Sequence, residues 1–184
     1  MTPQATTAEL QAALPGVLDA PKTGGAVEYL CFRPGLGERD FRSELTLTRD
    51  RGIPGERWGT APWLRLEDGT GHPGIQVSIL PRRVLDLVWR DRANVIHPGD
   101  TFVCDLDTSE ANLPVGQLIA VGSAVLRVSE VPNHGCAKWK VRYGTPAYDW
   151  IRAPAHAHLR LRGVLCSVEQ DGVIRLGDRV DVLR

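Results

Sequence analysis

The sequence predicts a mostly-β domain, a closed or partly closed β-barrel with a few short helices. Three observations predict it. Short runs rich in β-branched and aromatic residues recur along the chain, as half-buried strands require. Turn dipeptides such as Gly122-Ser123, Asp171-Gly172 and Gly177-Asp178 separate several of them. Helical periodicity is confined to a few short stretches. Closing such a sheet removes its unpaired edges. A chain of 184 residues is long enough for one domain with a real core. The expected division is an N-terminal helix and linker over 1–25 and a barrel domain over 26–184.

The elements follow in order. Leu10, Ala13, Leu14, Val17 and Leu18 recur at helical spacing, which predicts a helix over 7–18 capped by Thr7 with Gln11 nearby, and Pro15 should end or kink it. Ala26–Phe32 and the alternating Ser43–Thr48 predict strands. Arg51–Trp58 is a tight turn that delivers Glu56 and Arg57. It is either a surface turn with a solvated ion pair or a loop aiming an arginine at a ligand. Trp63–Leu66 predicts a short strand, and Ile75–Leu80 a longer one with Gln76 and Ser78 on one face. Pro81 at a first helical position, with apolar residues at 84, 85, 88 and 89, predicts an amphipathic helix. After the His97–Asp100 turn, Thr101–Leu106 predicts a strand. Gln117–Val121 and Ala124–Val128 predict a hairpin, and Pro146–Leu159 partial helix broken at Pro154. Three short strands close the chain after Gly163.

Composition excludes several function classes. Lys plus Arg and Asp plus Glu balance at 22 each, so no long-range field steers the chain onto nucleic acid or an anionic membrane. No apolar run reaches the ~20 residues of a membrane helix, and the N-terminus lacks a basic segment followed by an apolar core. The expected location is a reducing cytoplasm, where thiols stay free. The four cysteines, at 31, 104, 136 and 166, form no CxxC pair, which counts against a zinc ribbon. Cys104 and Cys166 sit in apolar runs and read as core residues. Cys136 differs. It lies in Asn133-His134-Gly135-Cys136-Ala137-Lys138-Trp139-Lys140, where nearby cations favour a thiolate. His134 either assists that thiolate or caps the following turn. Lys138 points away from the thiol if the segment is extended, and toward its neighbourhood if it is helical. No GxGxxG after a strand, P-loop, HExxH or GxSxG is present.

An ordered set of motifs then carries a resemblance. It comprises Gly52-Ile53-Pro54-Gly55-Glu56-Arg57, Gln76-Val77-Ser78-Ile79-Leu80, Leu113-Pro114-Val115-Gly116 with Val121–Leu126, His134-Gly135-Cys136-Ala137-Lys138, Arg162-Gly163-Val164 and Gly172–Asp178. Over about residues 26–183 the chain resembles the MOSC domain family, named after the C-terminal part of molybdenum cofactor sulfurases, in the form of a small standalone bacterial-type member. The resemblance implies a β-barrel. It also implies binding of the molybdenum cofactor, or sulfur held as a persulfide on Cys136 for transfer to a metal–sulfur centre. Cys136 and His134 would be the reactive residues. Arg57, Gln76, Ser78, Lys138 and Arg162 would hold the pterin cofactor. The alternatives are a molybdenum-dependent oxidoreductase component reducing N-hydroxylated compounds, with Cys136 as molybdenum ligand, and a non-catalytic ligand barrel with a degenerate site. The implied partners are the pterin, or a sulfur donor or acceptor protein. No lysine suggests a pyridoxal phosphate site. The chain departs from the family pattern at Glu56, Trp58 and Ile75, and Thr101–Asp105 replaces its Glu-Asn pair, removing polar ligand contacts.

Overall fold

A computed structural model describes residues 3–184. Seven strands close into a mixed barrel: β1 (Gly25–Phe32), β4 (Val77–Pro81), β5 (Phe102–Cys104), β6 (Leu118–Val121), β7 (Ala124–Val128), β8 (Val164–Gln170) and β10 (Arg179–Val182). Their order is β10-β6-β7-β8-β4-β5-β1, and β1 returns to β10 through Gly25↔Val180. Each pairing is antiparallel except β4 with β5, where Ile79 faces Phe102. The parallel pair needs a crossover, and α2 (Arg82–Val88) supplies it. Two-residue β2 (Asp40–Phe41) extends β1, while β3 (Glu44–Leu47) pairs with β9 (Gly172–Arg175).

Alternation along the strands divides the apolar residues between two cores. Phe102 and Cys104 face the barrel interior with Val77, Ile79, Leu126 and Cys166, and β3 and β9 add Leu45, Leu47 and Ile174. Val103 and Leu80 face outward and join a second cluster, built on α1 (Thr7–Leu18), α2, α3 (Ala137–Tyr143) and α4 (Thr145–Arg152). Leu10 and Val17 of α1 belong to this cluster, and the N-terminal helix packs against α2 and α4.

Several local expectations need correction. Thr6, not Thr7, caps α1. Its hydroxyl accepts from Glu9 N at 3.3 Å and Glu9 Oε2 accepts from Thr6 N at 2.7 Å, a reciprocal box that Gln11 is placed too late to make. Pro15 neither ends α1 nor sets its boundary, since the helix runs on to Leu18. Pro81 is the cap residue of α2 rather than its first turn. Trp63–Leu66 forms no strand, because no neighbouring strand pairs with it beyond one bridge, Arg65↔Gly71. The Cys136 segment opens a helix, α3, that the sequence reading left open.

Candidate functional site: a cationic cleft at the Cys136 thiol

Among the four cysteines, burial separates one from three. Cys31, Cys104 and Cys166 are buried and Cys136 is exposed. Desolvation pushes the Cys31 thiol up to about 11 and the Cys166 thiol up to about 12, and raises that of Cys104 as well. These three are core hydrophobes.

Cys136 is held by backbone geometry on both sides. The preceding Gly135 lies against α4, where an added Cβ would meet Ile151 Cδ1 at 2.5 Å, so a larger residue there requires the Ile151 side chain to shift. Arg152 donates to the Gly135 carbonyl at 3.2 Å, and Asn133 Nδ2 donates to the Arg162 carbonyl at 3.1 Å. Cys136 takes the cap position of α3, and its carbonyl accepts from Trp139 N at 2.9 Å. Its thiol makes no cap hydrogen bond and stays free for chemistry. The helix then sorts its residues by four. Trp139 and Tyr143 are buried in the second core, Trp139 also backing the cleft wall, whereas the exposed Lys138 and the half-buried Arg142 line the cleft mouth.

The cleft beside Cys136 has a volume of about 620 Å³, within the range of small-molecule sites. Arg57, Ser78, His134, Cys136, Lys138 and Arg162 all line it, so the structure brings six of the seven sequence-selected residues together. Gln76 stands apart. Its amide donates to the Arg49 carbonyl at 2.9 Å and accepts from Val168 N at 2.9 Å, which ties the β4 entry to β8. Ser78 reaches the cleft with its hydroxyl already engaged. It accepts from Thr101 N at 3.0 Å and from Arg33 Nη1 at 3.3 Å. His134 is exposed and, among the described residues, makes no side-chain hydrogen bond, so it does not cap the turn.

Charge in the cleft is unbalanced. Arg33 pairs with Glu56 at 2.7 Å and Arg162 with Asp100 at 2.8 Å. An adjoining lobe shares Arg57, Lys138 and Arg142 and adds Arg39. Among the described residues these four cations have no carboxylate partner. Arg39 donates to the carbonyls of Gly37 and Pro98 at 2.8 Å each. Burial, then repulsion from Arg142, pulls its guanidinium below the ordinary arginine range. Gathered cations of this kind favour an anion. The Arg51–Trp58 turn thus matches neither sequence reading whole. Glu56 is buried against Arg33 instead of being solvated beside Arg57, and Arg57 lines the cleft. Trp58 donates to the His72 carbonyl at 3.0 Å, and Ile75 is buried in the cleft wall.

Sequence reading missed Arg33, Arg39, Asp100, Trp139 and Arg142. Arg33 and Asp100 fall in segments read only as turns. Arg142 is four residues past Lys138, a spacing that counts only once the segment is known to be helical.

The chain matches the sequence profile of the MOSC domain over residues 67–181. Among solved structures it is similar to the YuaD protein from Bacillus subtilis, at 20% identity and a TM-score of 0.61, covering 87% of this chain and 95% of that one. It is also similar to YiiM from Escherichia coli, at 17% identity and a TM-score of 0.53, covering 86% and 70%. YiiM from Geobacillus stearothermophilus follows at 14% identity and 0.51, covering 89% and 74%. At such identities the likeness concerns the fold. No curated protein matches the chain.

Proposed function

The chain belongs to the MOSC domain family, and from that premise we propose that it handles sulfur for the molybdenum cofactor, with Cys136 carrying the sulfur as a persulfide. The observation that carries the reading is the placement of the one exposed thiol in a cleft of unpaired cations. A phosphorylated pterin fits these residues. Arg39, Arg57, Lys138 and Arg142 offer charge for a phosphate, and Cys136 offers a soft ligand beside them. When bound, the cofactor supplies a soft molybdenum centre able to accept sulfur.

The steps at this chain's residues balance without an outside oxidant. The Cys136 thiolate attacks the terminal sulfur of a donor persulfide. A new S–S bond forms at Cys136, the donor's S–S bond breaks, and its electron pair leaves with the donor thiolate. Lys138 and Arg57, which have no carboxylate partner among the described residues, offer charge to an anionic donor or cofactor in the same cleft. His134, exposed in the same cavity, takes up the proton when the thiol ionises. The cleft position of Cys136 leaves it reachable by a donor or acceptor protein.

The test is loading with glutathione persulfide, followed by peptide mass analysis. The reading expects one added sulfur on the Cys136 peptide, released by dithiothreitol and absent in Cys136→Ala. Undiminished loading of Cys136→Ala overturns it.

A further inference from the structure

One wall of the cleft holds hydrogen-bonding capacity that the protein leaves unused. Asp100 ends the His97–Asp100 turn and is 2% exposed. Its Oδ1 accepts from Arg162 Nη1 at 2.8 Å, while its Oδ2 is buried with no donor. Trp139, 3% exposed, carries a buried indole N–H with no acceptor. Both residues line the cavity that holds Cys136. Arg162 joins them into one unit, bonded to Asp100 and with its guanidinium carbon 4.6 Å from the centre of the Trp139 ring. A buried acceptor or donor without a partner costs its full desolvation, so a native site keeps such groups for a reason.

The two unused groups have opposite character. A simple anion answers only the indole N–H: it brings no donor for Asp100, and the carboxylate repels it. Gln76 and Ser78, the side chains first expected to bond a heterocycle, are already committed to backbone and to Arg33. We propose that Asp100 and Trp139 read the amide-like edge of a nitrogen heterocycle. A ring N–H donates to Asp100 Oδ2, and a carbonyl on the same ring accepts from Trp139 Nε1. This rests on the reading of the cleft as a pterin site and adds which residues orient the ring. The unpaired cations are then left for an anionic tail, so the cleft selects a ligand carrying both parts over a bare anion.

The experiment is calorimetric titration of the full chain with two separate probes, neopterin (the heterocycle edge without a phosphate) and inorganic phosphate. It uses the wild type, Asp100→Asn and Trp139→Phe. The second variant keeps an aromatic ring beneath Arg162 and removes only the N–H. Expected is neopterin binding that falls about tenfold or more in Asp100→Asn and several-fold in Trp139→Phe, with phosphate affinity held within about twofold in Trp139→Phe and unchanged or raised in Asp100→Asn, which removes a repelling carboxylate and frees Arg162. If Asp100→Asn does not fold, the Trp139→Phe arm decides alone. Neopterin affinity unchanged in the variants, or neopterin and phosphate lost in parallel, overturns the inference. Wild type that binds phosphate but not neopterin also overturns it and leaves the anion-binding cleft standing. Wild type that binds neither removes the cofactor reading together with it.

Discussion

Replacing Glu56 by alanine strips the cleft of the carboxylate that fixes Arg33. The Glu56 side chain is 1% exposed and that of Arg33 26%. Glu56 Oε1 accepts from the Arg33 backbone N at 2.9 Å and from Nε at 3.1 Å, and Oε2 accepts from Nη2 at 2.7 Å. Arg33 Nη2 also donates to Thr101 Oγ1 at 2.9 Å, linking the turn after β1 to the entry of β5. Breaking a buried pair by deleting one partner costs about 3–5 kcal/mol, because the other charge stays behind unpaired. The partial exposure of Arg33 places the expected loss at the lower end, about 3 kcal/mol. For a chain of this size that lowers the melting temperature by about 6–12 °C. The assay is urea and thermal unfolding of wild type and Glu56→Ala, with Asp40→Ala as the control. The Asp40–Arg42 pair has side chains 52% and 44% exposed, so its loss should cost under about 1 kcal/mol. Equal, small losses in the two variants would refute the reasoning.

Three further outcomes follow from the structure. Iodoacetamide on the native protein should modify Cys136 alone, and all four cysteines in urea, as read by intact mass; a second reactive thiol in the native state contradicts the burial pattern. Gly163 has φ of 85° and an added Cβ would lie 1.9 Å from the Ile79 carbonyl oxygen, so Gly163→Ala should destabilise by about 3 kcal/mol or more and displace Arg162 next to it; chemical unfolding reads the first and phosphate titration the second. His97 is buried among Tyr29, Phe41 and Trp89, and burial lowers its imidazole from the ordinary 6.5 to about 4 despite the opposing pull of Asp100. The unfolded chain therefore binds the extra proton between these values. Stability from this residue is whole above about pH 6.5 and lost as pH falls toward 4, by at most about 3 kcal/mol; a flat unfolding free energy across that window excludes it.

Strand alternation was legible because each face of a β-strand repeats every second residue. That period places Val77 and Ile79 inward and Ser78 outward without any long-range knowledge. The Gly122-Ser123 turn and the hairpin it joins were legible for the same local reason. Helix α3 was not, since its seven residues carry too little periodicity and its cap is a cysteine that makes no cap bond. The cleft was half legible. Cations near Cys136 in sequence announced it, yet its balance depends on pairings between distant residues. Glu56 finds Arg33 rather than its neighbour Arg57, and Asp100 finds Arg162 across 62 positions. Composition cannot disclose such partners, nor can it tell that Gln76 is consumed in tying β4 to β8.

The central claim is that Cys136 is the sulfur-bearing atom of this cleft. The most direct measurement is mass spectrometry under mild conditions of the protein purified from a host that makes the molybdenum cofactor. The account predicts a fraction with one extra sulfur or a bound pterin. The extra sulfur should map to the Cys136 peptide and be removed by dithiothreitol, and it should be missing from Cys136→Ala. Extra sulfur that persists in Cys136→Ala, or a wild-type chain carrying neither sulfur nor pterin, would contradict it.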